Sequence, residues 1–228
     1  MSKNKDYAKK LKDLEGYERG ILAFKLSDEE PEGMDSYGDD ESFLCAITAE
    51  AWDRDKPFYI TAHNVICGGQ IYAGIGPKKI EKDEYDAGMS MALGKNKAYE
   101  NREIMRRVNQ QCPHYFKMHK YMIIGLLDQI EDPDMIMIVT DANRVMRLTK
   151  AYAWKTGELT HGVSGTAWCS ECFPHVGRTK SMTFNMGDPP ARMFMGLEPG
   201  EMYCTIDYKF LPIVVDNLEN ISSGQVEF

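Results

Sequence analysis

Short apolar runs recur along the chain, and their length and bounding turn residues predict buried β-strands. These runs occupy residues 21–25, 58–62, 120–127, 135–140, 181–185 and 201–210. The runs at 120–127 and 135–140 are almost entirely apolar, which is typical of strands that are covered on both faces of a sheet. We also expect the strand at 58–62 to continue to Cys67.

Amphipathic spacing between these runs predicts helices at residues 4–18, 42–53, 96–111, 142–155, 167–175 and 211–220. Asp141 is a suitable N-cap for the fourth of these helices, and Gly157 is a suitable stop. Two consecutive prolines predict a loop at 187–192. The pattern as a whole predicts a single-domain α+β fold over residues 1–228, with a mixed β-sheet and packed helices. The polar stretch at 77–98 predicts a mobile flap.

Net charge, apolar content and cysteine number exclude some classes of function. A net charge of −8 argues against a nucleic-acid binder, which needs clustered lysines and arginines. The N-terminus carries no apolar segment of the signal-peptide type, and the longest apolar run is far too short to span a membrane. We therefore expect a cytoplasmic protein, in which the six cysteines are free thiols, metal ligands or redox groups.

The cysteine spacing is the main chemical signal. Cys169 and Cys172 form a Cys-x-x-Cys pair, and Cys67 precedes Gly68 and Gly69 earlier in the chain. Three soft thiolates at these positions favour an iron–sulfur cluster, with Cys45 or another group as the fourth ligand. The two glycines would let the backbone approach the bound group closely.

Three other interpretations of the cysteines remain open. Zinc is the alternative metal, because Cys169, Cys172 and His175 share one face of a helix and Cys67 could complete a Cys₃His site. The Cys-x-x-Cys pair could instead cycle between dithiol and disulfide at a helix N-terminus. Alternatively, the cysteines are small apolar side chains of the core.

Two arginines are candidates for binding a small anionic ligand. Arg147 and Arg192 could each hold a carboxylate or phosphate by paired hydrogen bonds. Arg147 follows the strand–helix junction at Asp141, and ligands of open sheets favour such junctions. Pairing of the arginines with Asp141 or Asp188 would make them purely structural. The alternative to a metal protein is thus a non-catalytic module that binds a small anion or a cofactor.

Several short motifs together resemble a known family. They are Ile21-Leu-Ala-Phe-Lys25, Cys67-Gly68-Gly69 followed by Gly74-Ile-Gly76, Met146-Arg147-Leu148 followed by Ala151-Tyr152 and Gly157, and the segment around Cys169. This layout resembles the Domain of Unknown Function 169 family, which is found largely in anaerobic bacteria and archaea.

The resemblance implies a fold but no established activity, and it has one departure. Family members often carry a further cysteine in a turn before an arginine near the C-terminus. The corresponding stretch here, residues 185–192, contains no cysteine, and Cys172 could take that role. Together with the thiols, the resemblance leads us to expect a redox or small-molecule-processing protein of anaerobic metabolism.

Overall fold

One mixed sheet of eight strands forms the centre of the protein. A computed structural model describes residues 3–76, 98–112 and 117–221. The strands are β1 Leu22–Ser27, β2 Asp35–Ser36, β3 Phe58–Thr61, β4 Tyr121–Leu126, β5 Met135–Asp141, β6 His161–Gly162, β7 Met182–Asn185 and β8 Glu201–Asp207. Their spatial order is β2-β3-β4-β1-β5-β8-β7-β6. The outermost pairs, β2/β3 and β6/β7, are parallel, and all inner pairs are antiparallel.

Eight α-helices accompany this sheet within the described ranges. They are α1 Lys3–Glu15, α2 Leu44–Glu50, α3 Gly69–Ala73, α4 Arg102–Gln111, α5 Ala142–Thr156, α6 Trp168–Thr179, α7 Pro189–Phe194 and α8 Leu211–Asn217. In the part of the chain that the structure describes, none of them is long and apolar enough to cross a bilayer. The predicted α+β class with a mixed sheet is confirmed. The flap predicted at 77–98 lies outside the described residues, except for its last position.

Helices cover both faces of the sheet, because successive strand residues point to opposite sides. Phe24 of β1 joins one core cluster, which includes residues of α2, α6 and α7 and the segment around α3. Its neighbour Ala23 joins the other cluster, which includes residues of α1, α5 and α8. We call the first the cysteine face, because Cys45, Cys67, Cys169 and Cys172 all pack there.

The long helix α5 begins and ends where the sequence predicts. Oδ1 of Asp141 accepts hydrogen bonds from the backbone N–H groups of Asn143 and Arg144, at 2.8 and 3.1 Å. Gly157 follows the helix with φ +69°, a conformation that favours glycine. A cap and a stop of this kind depend on neighbouring residues alone, which is why local sequence locates them.

The prediction of a loop at 187–192 is wrong, because α7 begins at Pro189. Proline has no backbone N–H to donate. Because the first N–H groups of a helix have no intrahelical partner, proline is tolerated at these positions. Asp188 caps the helix by accepting a hydrogen bond from the N–H of Ala191, at 2.7 Å.

The expected continuation of β3 to Cys67 is also wrong. The strand ends at Thr61, and a 3₁₀ turn over Ala62–Asn64 follows it. The side-chain oxygen of Asn64 accepts hydrogen bonds from the backbone and hydroxyl of Thr61, at 2.8 and 3.1 Å. This local pairing turns the chain and directs the following residues toward the cysteine face.

Candidate functional site

Three thiols from separate segments lie close together on the cysteine face. Cys45 belongs to α2, Cys67 immediately precedes the turn into α3, and Cys169 lies in the first turn of α6. Cys45 and Cys67 are half-buried and Cys169 is buried. Burial has the largest effect on the pKa of Cys45 and of Cys169, and it raises both. The charge of Cys67 has the second-largest effect and raises both further.

The glycine pair shapes the backbone beside Cys67. A Cβ added to Gly69 would lie 2.9 Å from Cβ of Leu44 and 3.1 Å from the Cys67 sulfur. A contact of 2.9 Å is too short for a real Cβ, so Gly69 allows the start of α3 to approach Leu44 of α2 closely. Gly68 has a helical φ of −61°, and a Cβ added there would meet only the Tyr72 ring, at 4.0 Å. The sequence predicted that the two glycines let the backbone approach a bound group. In the structure, the close approach is between Gly69 and two protein side chains, Leu44 and Cys67.

Cys172 lies one turn along α6 from Cys169 and is oriented toward the sheet. It is fully buried, and its sulfur accepts a hydrogen bond from the side-chain amide of Asn185 in β7, at 3.0 Å. Burial raises the pKa of the Cys172 thiol to about 12. Its charge still raises the pKa of Cys169, but less than Cys67 or Cys45 does.

Asp188 joins the two helices that border the thiols. One carboxylate oxygen caps α7, and the other accepts a hydrogen bond from the backbone N–H of Trp168 at the start of α6, at 2.9 Å. The negative charge of Asp188 raises the pKa of Cys45, Cys67 and Cys169. Sequence reasoning did not give Asp188 this role, although an aspartate directly before two prolines is a signal for a helix N-cap.

Glu171 is a buried carboxyl group beside the same helix start. It is 1% exposed, and its Oε1 accepts a hydrogen bond from the backbone N–H of Thr166, at 2.9 Å. The other oxygen, Oε2, has no hydrogen-bond partner among the described residues. Burial raises the pKa of Glu171 to about 7, and the charge of Asp188 acts in the same direction.

Two buried aromatic side chains add hydrogen-bond donors to the cluster. Trp168 and Tyr203 are fully buried, and their ring centroids are 5.7 Å apart. Within the described ranges, the indole Nε1 and the phenolic hydroxyl have no hydrogen-bond partner. Burial raises the pKa of Tyr203, and Cys172, Asp188 and Cys45 raise it further.

The thiols are protonated near neutral pH in this environment. Burial is the main cause in each case: it raises the pKa of Cys45 to about 12 and that of Cys169 well above its ordinary value. The position of Cys169 near the N-terminus of α6 does not overcome this effect. All six cysteines are free thiols. A dithiol–disulfide cycle needs a thiolate nucleophile, whereas burial favours the protonated thiol at both Cys169 and Cys172.

As the side chains lie, no three or more His, Cys, Asp or Glu residues in the described ranges are arranged to hold a metal ion. The predicted ligands Cys67, Cys169 and Cys172 thus lie on one face of the sheet, but their side chains are not arranged around a single metal position. His175, the predicted nitrogen ligand for zinc, is partly exposed on α6. Burial and the charge of Arg178 lower the pKa of its imidazole. Iron–sulfur and zinc binding stay predictions.

Arg147 lies on the opposite face of the sheet from the cysteines. Its Nε donates to both carboxylate oxygens of the buried Glu15, at 2.8 and 3.1 Å. Its Nη1 donates to the carbonyl oxygen of Ile221, at 2.8 Å. The structure therefore does not bring Arg147 together with Cys67 and Cys169. The guanidinium group instead ties α5 to α1 and to the end of the described chain.

Arg192 lies on α7, on the same side as the thiols, but it too binds the protein. Its Nη1 donates to the carbonyl oxygens of Met186 and Glu201, both at 2.8 Å, and its Nη2 donates to that of Glu198, at 2.6 Å. These bonds join the start of β8 to the turn before α7. Like Arg147, Arg192 makes structural contacts with the protein, and the anion-binding role of both stays a prediction.

Comparison with known proteins identifies a family but no activity. The model of the family DUF169, described as uncharacterised ArCR, matches residues 10–217. No curated protein and no solved structure matches the chain. The family match includes β1, the Cys67 segment, α5 and the whole of α6 and α7. The chain therefore belongs to the Domain of Unknown Function 169 family.

Proposed function

We propose that this protein binds a thiophilic metal centre, an iron–sulfur cluster in the first instance, through Cys67 and Cys169, with Cys45 as a third ligand. The observation that supports the proposal is that α2, the turn before α3, and α6 each contribute one of these cysteines to the same face of the sheet. Sulfur ligands of this kind select iron–sulfur clusters, zinc or copper(I) over hard cations such as magnesium.

The electrostatics of the site favour a bound cation. The charged groups with the largest effects on the three thiols are Asp188 and the thiols themselves, and each raises the pKa of its neighbours. Ionising several of these groups together is unfavourable in a buried setting. A metal cation reverses this balance, because it displaces the thiol protons and neutralises the resulting thiolates.

Metal binding requires a small rearrangement, since the described side chains do not form a ready-made coordination shell. Rotation of a cysteine about its Cα–Cβ bond moves the sulfur between staggered positions without moving the backbone. Cys45 and Cys67 are only half-buried, so their sulfurs can turn more easily than that of Cys172. For this reason we propose Cys45, in place of the predicted Cys172, as the third ligand.

We extend the proposal to a redox or small-molecule-processing role in the cytoplasm of an anaerobic organism. The six free thiols support a reducing compartment. An iron–sulfur cluster with three protein ligands leaves one iron open to a small molecule. Zinc in the same position would support a structural role or Lewis-acid chemistry instead.

The test is metal analysis of protein that is purified without oxygen and then reconstituted with iron and sulfide. We expect iron and sulfide in matching amounts in the wild type, loss of both in Cys67→Ser and Cys169→Ser, and an unchanged circular dichroism spectrum. Cys204→Ser is the matched control, because Cys204 is buried on the opposite face of the sheet. Cys45→Ser and Cys172→Ser decide which of these two is the third ligand. Wild-type protein without iron or zinc would refute the proposal.

A second candidate is a non-catalytic binding module for a small cofactor. Buried polar atoms of Trp168, Glu171 and Tyr203 that find no partner among the described residues favour it, because such groups are normally satisfied by a partner. Asp188 makes a neutral or cationic ligand a better match than an anion. This candidate predicts that the cysteine substitutions lower stability without changing metal content.

A further inference from the structure

We propose that two copies of this chain associate edge to edge through β6 and continue the sheet across a two-fold axis. The strand order places β6 at one end of the sheet and β2 at the other. Both residues of β6, His161 and Gly162, are exposed. This surface has no part in the proposed metal function, so the association does not depend on metal.

The backbone of β6 is paired on one side only among the described residues, where it runs parallel to β7. The N–H of Val163 donates to the carbonyl oxygen of Phe184, at 3.1 Å. The carbonyl oxygen of His161 accepts a hydrogen bond from the Thr183 hydroxyl, at 2.8 Å. Because successive residues of a strand direct their backbone groups to opposite sides, the N–H and C=O of Gly162 point away from β7. Exposed groups of this kind are a template for a further strand.

Exposed apolar side chains border this open edge. Leu159, two residues before β6, is 81% exposed, and Trp154, in the last turn of α5, is 63% exposed. Met186 is 62% exposed, and its backbone N–H donates to the hydroxyl oxygen of Ser164, just after β6, at 3.1 Å. Apolar surface of this kind stabilises an association that removes it from water. The edge therefore offers both backbone hydrogen bonds and apolar contacts to a partner.

Charge distinguishes this edge from the other edge of the sheet and favours a second copy as the partner. The net charge of −8 makes two copies repel each other where carboxylates face one another. The sequence between Glu158 and Glu171 contains no aspartate or glutamate, so a copy of the same acidic chain can approach β6. The strand β2 lies instead in an acidic stretch, whose carboxylates include Glu32, Asp35, Asp39, Asp40 and Glu41.

A two-fold axis beside Gly162 fits the direction of its open backbone groups. In an antiparallel pair centred there, Gly162 of each copy exchanges both backbone hydrogen bonds with Gly162 of the other. Thr160 then faces Ser164 of the second copy. The two His161 residues become diagonal neighbours, with Cα atoms about 7–8 Å apart. A two-fold contact is self-complementary and closed, so association stops at a dimer.

The first measurement is the dimer dissociation constant, by analytical ultracentrifugation of the full chain. A small interface of this kind is expected to dissociate in the micromolar range, so the protein is studied between about 1 and 200 µM. A reducing agent is present, because the free thiols could otherwise link two copies. We expect the mass at the upper concentrations to be twice the 26.0 kDa of one chain.

His161→Asp and His161→Lys test the register. Each variant alone places two like charges diagonally across the axis, which should weaken the dimer by about 5-fold. An equimolar mixture of the two variants should restore the wild-type affinity, because opposite charges then attract each other across the axis. His63→Asp is the matched control, since His63 is also exposed but follows β3 near the other end of the sheet. It should leave the dissociation constant unchanged.

Hydrogen exchange of the wild type locates the contact without any substitution. Peptides covering residues 159–165 should exchange more slowly at the upper concentration than at the lower one, because pairing protects the backbone N–H groups of the edge. Peptides covering residues 32–41, at the β2 edge, should exchange at the same rate at both concentrations.

Three results would overturn the inference. They are a wild type that keeps the mass of one chain over the whole range, a dimer that both His161 variants leave as strong as His63→Asp does, and exchange at residues 159–165 that is independent of concentration. A mixture of the two His161 variants that fails to restore the dimer would contradict the two-fold register. Should these variants not fold, the exchange measurement on the wild type decides. Metal content enters none of these measurements, so the metal function stands or fails separately.

Discussion

Glu171→Gln tests the electrostatic description of the site through the pH dependence of stability. In the folded protein burial raises the pKa of Glu171 to about 7, compared with an ordinary value of 4.5. The folded state therefore binds the proton more tightly than the unfolded state does. The stability from this proton is fully present below about pH 4.5 and is lost as pH rises through 7. Each unit of pKa corresponds to about 1.4 kcal/mol, so the loss reaches up to about 3.5 kcal/mol above pH 8.

Glutamine keeps the shape of the side chain and an oxygen for the N–H of Thr166, but it carries no titratable proton. The free energy of unfolding, measured by urea denaturation from pH 5 to pH 8, should therefore fall more steeply in the wild type than in Glu171→Gln. Glu29→Gln, which removes a carboxylate at the surface, controls for the change in net charge and should run parallel to the wild type. If the difference between the wild type and Glu171→Gln stays constant across this range, Glu171 does not carry the burial energy that we assign to it.

Three further substitutions, the first with a control at the neighbouring glycine, have expected outcomes. Gly69→Ala should lower the free energy of unfolding by about 1–3 kcal/mol, because its Cβ would lie 2.9 Å from a side-chain carbon of α2, and Gly68→Ala should have a smaller effect. Asp188→Asn should speed alkylation of Cys67 by iodoacetamide, read by mass spectrometry, because loss of the negative charge lowers the pKa of that thiol; an unchanged rate would contradict the assignment. Arg147→Ala should cost about 3–5 kcal/mol in urea unfolding, because a buried carboxylate loses its partner, yet it should leave metal content unchanged.

Local sequence predicted much of the framework. The strands β4 and β5 follow from continuous apolar runs, and α5 follows from Asp141 and Gly157 at its ends. The helix α7 did not follow, because Pro189 and Pro190 also fit a loop, and the choice depends on the cap formed by Asp188. A proline pair excludes the interior of a helix but not its first turn.

The candidate site was less accessible to sequence reasoning, because burial is set by contacts between distant segments. Glu171 is an ordinary charged residue in the sequence, and only packing against the sheet and neighbouring helices makes it nearly inaccessible. Tyr203 comes from a strand more than thirty residues after Cys169. Arg147 follows a strand end, as many ligand-binding arginines do, but α5 lies on the face away from the thiols and Glu15 occupies its guanidinium group.

The central position of β1 has a consequence for the way the chain folds during its synthesis. Leu22 pairs with Leu126 on one side and with Met137 on the other, so the strand has no sheet partner until more than a hundred further residues have been made. Because synthesis adds roughly 5–20 residues per second, this apolar segment remains without its sheet partners for on the order of 10 s after it leaves the ribosome. Pairing over such a sequence distance also makes folding slow and exposes the chain to aggregation. We therefore expect early chaperone binding to concentrate on residues 21–25.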